Sequence, residues 1–306
     1  MEHIFTALIP IFILITIGFY FKRIKFPSND FWTNADKLTY YVLMPSLLIY
    51  KLSTANLDNI EAFSFLMTGM LGIVAILIIT ILINLKTKTP GAPFSSMVQG
   101  TVRFNTYVFL ALISSMFGDK GIALAALLMT FAIPLINVIC ISVFAIYVNE
   151  QKANAKGMIK SIVKNPSILA CVIGGSINYL DLTIPVVTLN VLKILSSSAL
   201  PMGLLSVGFT LDLRSIKEAK SELIISSILK LLIKPLCFYV IGYMFGLEPL
   251  YLSIVVVFAA MPTATSSFVF ARQLGGDVKL MASIITLQTM VSLLTISIIL
   301  GFIAHV

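Results

Sequence analysis

Long apolar blocks recur along this chain, and acidic residues fall between them. After Glu61 the acidic positions are Asp119, Glu150, Asp181, Asp212, Glu218, Glu222, Glu248 and Asp277, each between apolar blocks or at a block's edge. A helix needs about 20 mostly apolar residues to cross a bilayer, at roughly 1.5 Å per residue. The blocks suit that length and predict ten helices, at about 3–21, 33–52, 61–84, 93–117, 121–148, 162–180, 185–210, 222–246, 249–272 and 279–304. In lipid a helix satisfies its own backbone, which an open strand cannot do. The expected fold is an all-α membrane protein, with the lipid bilayer as its surroundings.

Composition excludes the alternatives. Apolar residues make up 58% and charged residues 11%, against about 45–50% and 25% in soluble domains. Mean hydropathy is +1.03. A soluble enzyme, a disordered chain and a disulfide scaffold are therefore ruled out. The net charge of +8 comes mostly from bases in short loops. That is how a polytopic membrane protein sets its orientation, so no nucleic-acid partner is expected. Cys140, Cys171 and Cys237 all lie in apolar blocks, odd in number and widely spaced, which argues against a disulfide framework or a metal site.

Loops after odd-numbered segments hold Lys22, Arg23 and Lys25; Lys86 and Lys88; Lys152, Lys156, Lys160 and Lys164; Arg214, Lys217 and Lys220; and Arg272 and Lys279. Loops after even-numbered segments hold Lys51 and Lys120. The positive-inside rule puts the odd loops in the cytoplasm and both termini outside, in a multi-pass protein of the cell (plasma) membrane. The opening Met1-Glu2-His3 carries no basic region, so the first block reads as a retained span and not a signal peptide.

Several residues recur at one offset, 156 positions (166 − 10). Pro10 matches Pro166, Gly18 matches Gly174, Lys37 matches Lys193, Pro45 matches Pro201 and Leu48 matches Leu204. The offset lays segment 1 on segment 6 and segment 2 on segment 7. Five is odd, so two five-helix halves must insert in opposite directions, the pattern of secondary transporters that work by alternating access. The predicted units are residues 1–150 and 161–306. A cytoplasmic hinge at 151–160 joins them, within the basic stretch 149–164.

Such transporters bind substrate near the midplane, where corresponding helices are broken. The ninth segment has Pro262 mid-span, followed by Thr263, Thr265, Ser266 and Ser267. Proline removes a backbone bond and frees a carbonyl. The fourth segment holds Arg103, Asn105 and Thr106, with Arg103 about 12 residues, roughly 18 Å, from the cytoplasmic edge. A base at that depth must be paired or face water. Arg103, Lys193, Lys230 and Lys234 lie within spans, and no Asp or Glu lies near a midplane. The site is thus expected to take an anion, and no carboxylate proton carrier is evident.

The run Arg103-Phe104-Asn105-Thr106 with Phe117-Gly118 resembles the fourth-helix motif of the auxin efflux carrier family. Asn165-Pro166, Leu200-Pro201 with Leu204-Leu205 and Gly208, and the stretch 259–273 resemble its second-half landmarks. The resemblance spans nearly the whole chain. It implies ten helices in two inverted repeats with helices 4 and 9 crossing at broken midpoints, as in bile acid symporters and sodium–proton antiporters. It also implies a bacterial-type member without a long regulatory loop and, from plant relatives, a homodimer. Carried over, the crossover asparagine is Asn105 and the crossover proline Pro262. Asn137 would help line an anion pocket, and Pro45 and Ser46 would line the same cavity. The sequence departs from the family at Phe104, where glycine is usual, at Leu110-Ala111-Leu112, where Gly-x-Pro is usual, and at Ser266, where asparagine is frequent.

These readings converge on a carrier for a small organic anion, a malate-like or auxin-like mono- or dicarboxylate, with Arg103, Asn105, Thr106, Asn137, Pro45, Ser46, Pro262, Thr263, Thr265 and Ser266 at the site. No cofactor is expected. Coupling to protons, to sodium or to neither stays open. The alternative is an anion channel or a membrane sensor that binds without transporting. An intramembrane enzyme is disfavoured, because no paired aspartates, Ser–His pair or metal ligands fall within the spans. No Gly-x-x-x-x-Gly-Lys-Ser/Thr loop supports an ATP-driven pump.

Overall fold

The protein was analysed as a computed structural model, which describes residues 2–55, 62–148, 164–218 and 221–303. The expected hinge at 151–160 lies outside the described residues. Among the described residues the regular structure is helical and no strand occurs. Six stretches are long and apolar enough to cross a membrane, and two shorter apolar helices accompany them.

Helix α1 covers Glu2–Ile24. Helix α2 (Asn29–Leu38) runs through a π turn at Thr39–Leu43 into α3 (Met44–Ser53). The π turn precedes Pro45, whose ring and missing N–H forbid the regular bond pattern there. The same device recurs where α9 (Ser221–Ile228) passes through Leu229–Ile233 into α10 (Lys234–Met244), ahead of Pro235. Helix α4 is Ala62–Thr87, α7 is Pro166–Tyr179, α8 is Val186–Thr210 and α13 is Val278–Ile303.

The expected fourth and fifth segments form one helical stretch broken in two ways. Helix α5 (Gly91–Val102) stops, and α6 (Thr106–Tyr147) begins three residues later. Within α6 the chain turns back at Gly118, where φ is 57° and ψ −147°, a conformation that favours glycine. The expected ninth segment is also divided, into α11 (Pro249–Ala260) and α12 (Ser267–Leu274).

The helices gather in two sheaves. Helices α1, α3, α7 and α8 pack closely on one another, α1 along α8 and α3 along α7. A methyl group at Gly18 of α1 would collide with the Leu205 carbonyl of α8, and one at Gly174 of α7 would press on the Ile49 backbone of α3. Small residues allow such close backbone approach in membrane helices. The second sheaf holds α4, α5, α6 and α9–α13, and it contains both breaks.

Candidate functional site at two broken helices

The breaks meet. The backbone N–H of Asn105 donates to the carbonyl of Pro262 at 2.8 Å. Around this contact each break must satisfy backbone groups that a continuous helix would have paired internally.

The first break has no proline. Its residues simply turn extended: Arg103 has φ −71° and ψ 156°, and Asn105 φ −82° and ψ 106°. Side chains from elsewhere occupy the freed carbonyls at the end of α5. Lys230 Nζ donates to the Arg103 carbonyl at 2.6 Å and Lys234 Nζ to the Val102 carbonyl at 2.9 Å. Thr263 Oγ1 and Gln288 Nε2 donate to the Gly100 carbonyl at 2.7 and 3.1 Å. Both lysines are wholly buried. Two side-chain amines thus donate at the end of α5, where the unpaired carbonyls of a helix C-terminus need donors. Lys234 also lies over the rings of Phe258 (5.3 Å) and Phe238 (5.7 Å). On the other side of the break, Asn105 Oδ1 accepts from the N–H groups of Tyr107 and Val108, capping α6.

Phe104 stands where the family usually has glycine, and it has a packing role. Its ring centroid lies 4.4 Å from that of Phe258 and 5.8 Å from that of Phe109. The cluster fills the space between α6 and α11.

The second break is more local. Met261 is extended (φ −64°, ψ 141°) ahead of Pro262. The chain then turns through Ala264–Ser267 into α12 by short-range backbone bonds. The Thr263 N–H donates to Gln288 Oε1 at 3.1 Å. Gln288 therefore ties the second break to the first through the Gly100 carbonyl.

Arg103 points into the crossover. One terminal nitrogen donates to Ser266 Oγ at 3.1 Å and the other to Asn137 Oδ1 at 3.4 Å. The guanidinium lies over the Phe270 ring at 4.2 Å. Arg103 Nε, Asn105 Nδ2 and Ser267 Oγ are buried and find no partner among the described residues. Gln99 and Ser95 on α5 also carry unpartnered side-chain polar atoms.

The structure thus draws Arg103, Asn105, Asn137, Pro262, Thr263 and Ser266 into one network. Thr106 and Thr265 flank the breaks, both half-buried. The Thr263 hydroxyl is committed to the Gly100 carbonyl, so its role is to clamp the two breaks together. Ser46 bonds back to the Val42 carbonyl of its own helix at 2.8 Å, just past the π turn, and Pro45 is half-buried beside it. Neither makes a hydrogen bond to the crossover network. Lys193 is exposed on α8. Gln288 and the capping function of Lys230 and Lys234 escaped the sequence reading. Their spacing of four residues on one helix face was the available signal.

The sequence model of the family described as membrane transport protein matches residues 3–300. The chain belongs to that family, the auxin efflux carriers. It is similar to an uncharacterised transporter of Methanocaldococcus jannaschii, 26% identical over 304 residues and covering 94% of each chain. A proposed malonate transporter of Rhizobium meliloti is 24% identical over 313 residues, covering 97% of this chain and 95% of that one. An uncharacterised transporter of Methanothermobacter thermautotrophicus is 23% identical over 296 residues, with 95% of each covered. This auxin efflux carrier family member is a multi-pass membrane transporter and not an enzyme.

Proposed function

We propose that the protein carries a small organic anion, a mono- or dicarboxylate such as malonate or malate, across the cell membrane by alternating access. The observation that carries this reading is the donor set at the crossover. Arg103 Nε and Asn105 Nδ2 are buried N–H donors without partners, the N-termini of α6 and α12 end beside them, and no carboxylate joins the network among the described residues. Buried donors and a fixed positive charge suit a carboxylate, which accepts charge-assisted bonds through both oxygens. The similarity to a proposed malonate transporter agrees with that class.

In this reading the chain crosses the membrane ten times, in two inverted five-helix repeats at 1–150 and 161–306, with both termini outside. The paired close approaches support it. The 156-residue offset carries Gly18 to Gly174 and Ile49 to Leu205, so the Gly18–Leu205 contact maps onto Gly174–Ile49. Six rather than ten segments pass a length-and-apolarity test, and the reasons are local. The stretch Gly91–Tyr147 is 57 residues long, more than twice one span, while helices 2 and 9 are interrupted and helix 6 is short.

Uptake of labelled malonate and malate into proteoliposomes tests the reading. Flux that saturates, exchanges with unlabelled carboxylate inside and falls on Asn105→Asp supports it. Single-channel currents, or binding without flux, overturn it.

A further inference from the structure

Helix α2, the π turn and α3 form one continuous helical run, and among the described residues Asp36 is the only acidic side chain away from the ends of such a run, apart from Asp119 at the Gly118 kink, which pairs with Lys51. It lies seven residues into α2, roughly 10 Å along the helix. It is one turn beyond Trp32, whose ring stacks on Phe209 of α8. Its carboxylate accepts a hydrogen bond from the Ser206 hydroxyl of α8. No lysine or arginine among the described residues forms an ion pair with it. A half-buried carboxylate whose bonded partner is a neutral hydroxyl is costly to keep charged. Such a carboxylate is a candidate for binding a proton.

Its surroundings lead to the crossover. Asp36 is close enough to Tyr107, in the first turn of α6, to interact with it electrostatically, and Tyr107 interacts in turn with Tyr40. Tyr40 lies in the field of Arg103. On α2 itself Asp30 and Lys37 are exposed. From α1, Lys22 donates to the Thr210 and Leu211 carbonyls at the end of α8. Ser206 belongs to the first sheaf, on which α2 packs through α8, and Tyr107 belongs to the second, so relative movement of the sheaves alters this junction.

We propose that Asp36 is a proton-binding site that couples anion transport to a proton gradient, which rests on the anion-carrier reading above. Charged, the carboxylate opposes an incoming anion. Taking up one proton from water removes that charge, and releasing it on the other side restores it. Sodium is a poor alternative at the breaks, because the Gly100, Val102, Arg103 and Pro262 carbonyls already accept from protein donors.

The test uses the full chain in proteoliposomes with labelled malonate. Wild type accumulates malonate when the outside is acidic. For one proton per anion, each pH unit of gradient is worth about tenfold in the accumulation ratio. Asp36→Asn abolishes this response while malonate–malonate exchange persists, and Asp36→Glu retains it. Ser206→Ala removes the hydroxyl that favours the charged carboxylate. It moves the pH profile of uptake alkaline by up to about one unit. Wild-type accumulation driven by a sodium gradient and indifferent to pH overturns the proposal. So does an Asp36→Asn protein with an undiminished response, or a Ser206→Ala protein with an unmoved profile should Asp36→Asn fail to fold. Wild type that exchanges no carboxylate at any pH overturns the anion-carrier reading itself, and this proposal with it.

Discussion

The two breaks at the crossover reach similar geometry by different means. At 261–266 a proline forbids the regular bond, and short-range turns restart the helix. At 103–105 nothing in the local sequence forbids a helix. That break persists because Lys230 and Lys234 take its carbonyls, Asn105 caps the next helix, and Phe104 docks among aromatics. One interruption is written into the chain, and the other is imposed by the packed structure. The first break is accordingly the more sensitive to distant substitutions, and the second the more tolerant.

The largest expected effect follows from removing the lysines. A buried carbonyl left without its donor costs about 1–3 kcal/mol. Lys230→Met or Lys234→Met should each cost about that much stability and abolish malonate flux. The checks are thermal unfolding in detergent and proteoliposome uptake. A lysine variant with wild-type stability would break the contrast between the two breaks.

Next comes Asn105→Asp. The new side chain still offers an oxygen to cap α6 but loses the Nδ2 donor and adds a negative charge. Malonate affinity should fall about 10–100-fold, the equivalent of one lost charge-assisted bond, with little change in melting temperature. If stability falls and affinity does not, the residue is a cap and not a ligand.

Pro262→Ala should have a smaller effect. The turn at 264–267 and the Thr263 clamp remain, so the protein should fold, with uptake reduced several-fold, on the order of 1 kcal/mol. Loss of folding would show that the second break also depends on distant packing. Ser46→Ala should shift apparent affinity least, by about 0.5 kcal/mol or less, because its hydroxyl bonds to its own helix. A large effect would place α3 against the substrate.

Much of the architecture was legible. Apolar block length announced helices, and Pro262 with its trailing hydroxyls announced one break. The motif around Asn105 pointed to the other. What stayed hidden has a common physical origin. Gln288 lies 25 residues beyond Thr263, and Lys230 lies 127 beyond Arg103, yet each bonds to its break. A lysine in an apolar block reads equally as snorkelling or buried, and only the carbonyl that it meets decides. Asp36 was overlooked for a related reason. Seven residues from a helix start looks peripheral until Ser206 bonds to it from α8 and Tyr107 comes within its field.

The sequence by itself determined the solvent, the helical class and the sign of the charge left in the spans. Hydrocarbon accepts no unpaired backbone, and runs of apolar side chains state their preference one residue at a time. Tertiary structure alone decided how a proline-free segment stays broken, which buried donors are left without partners and where the Asp36 carboxylate meets Ser206. Those outcomes depend on partners brought together across more than a hundred residues, and no local pattern encodes such a meeting.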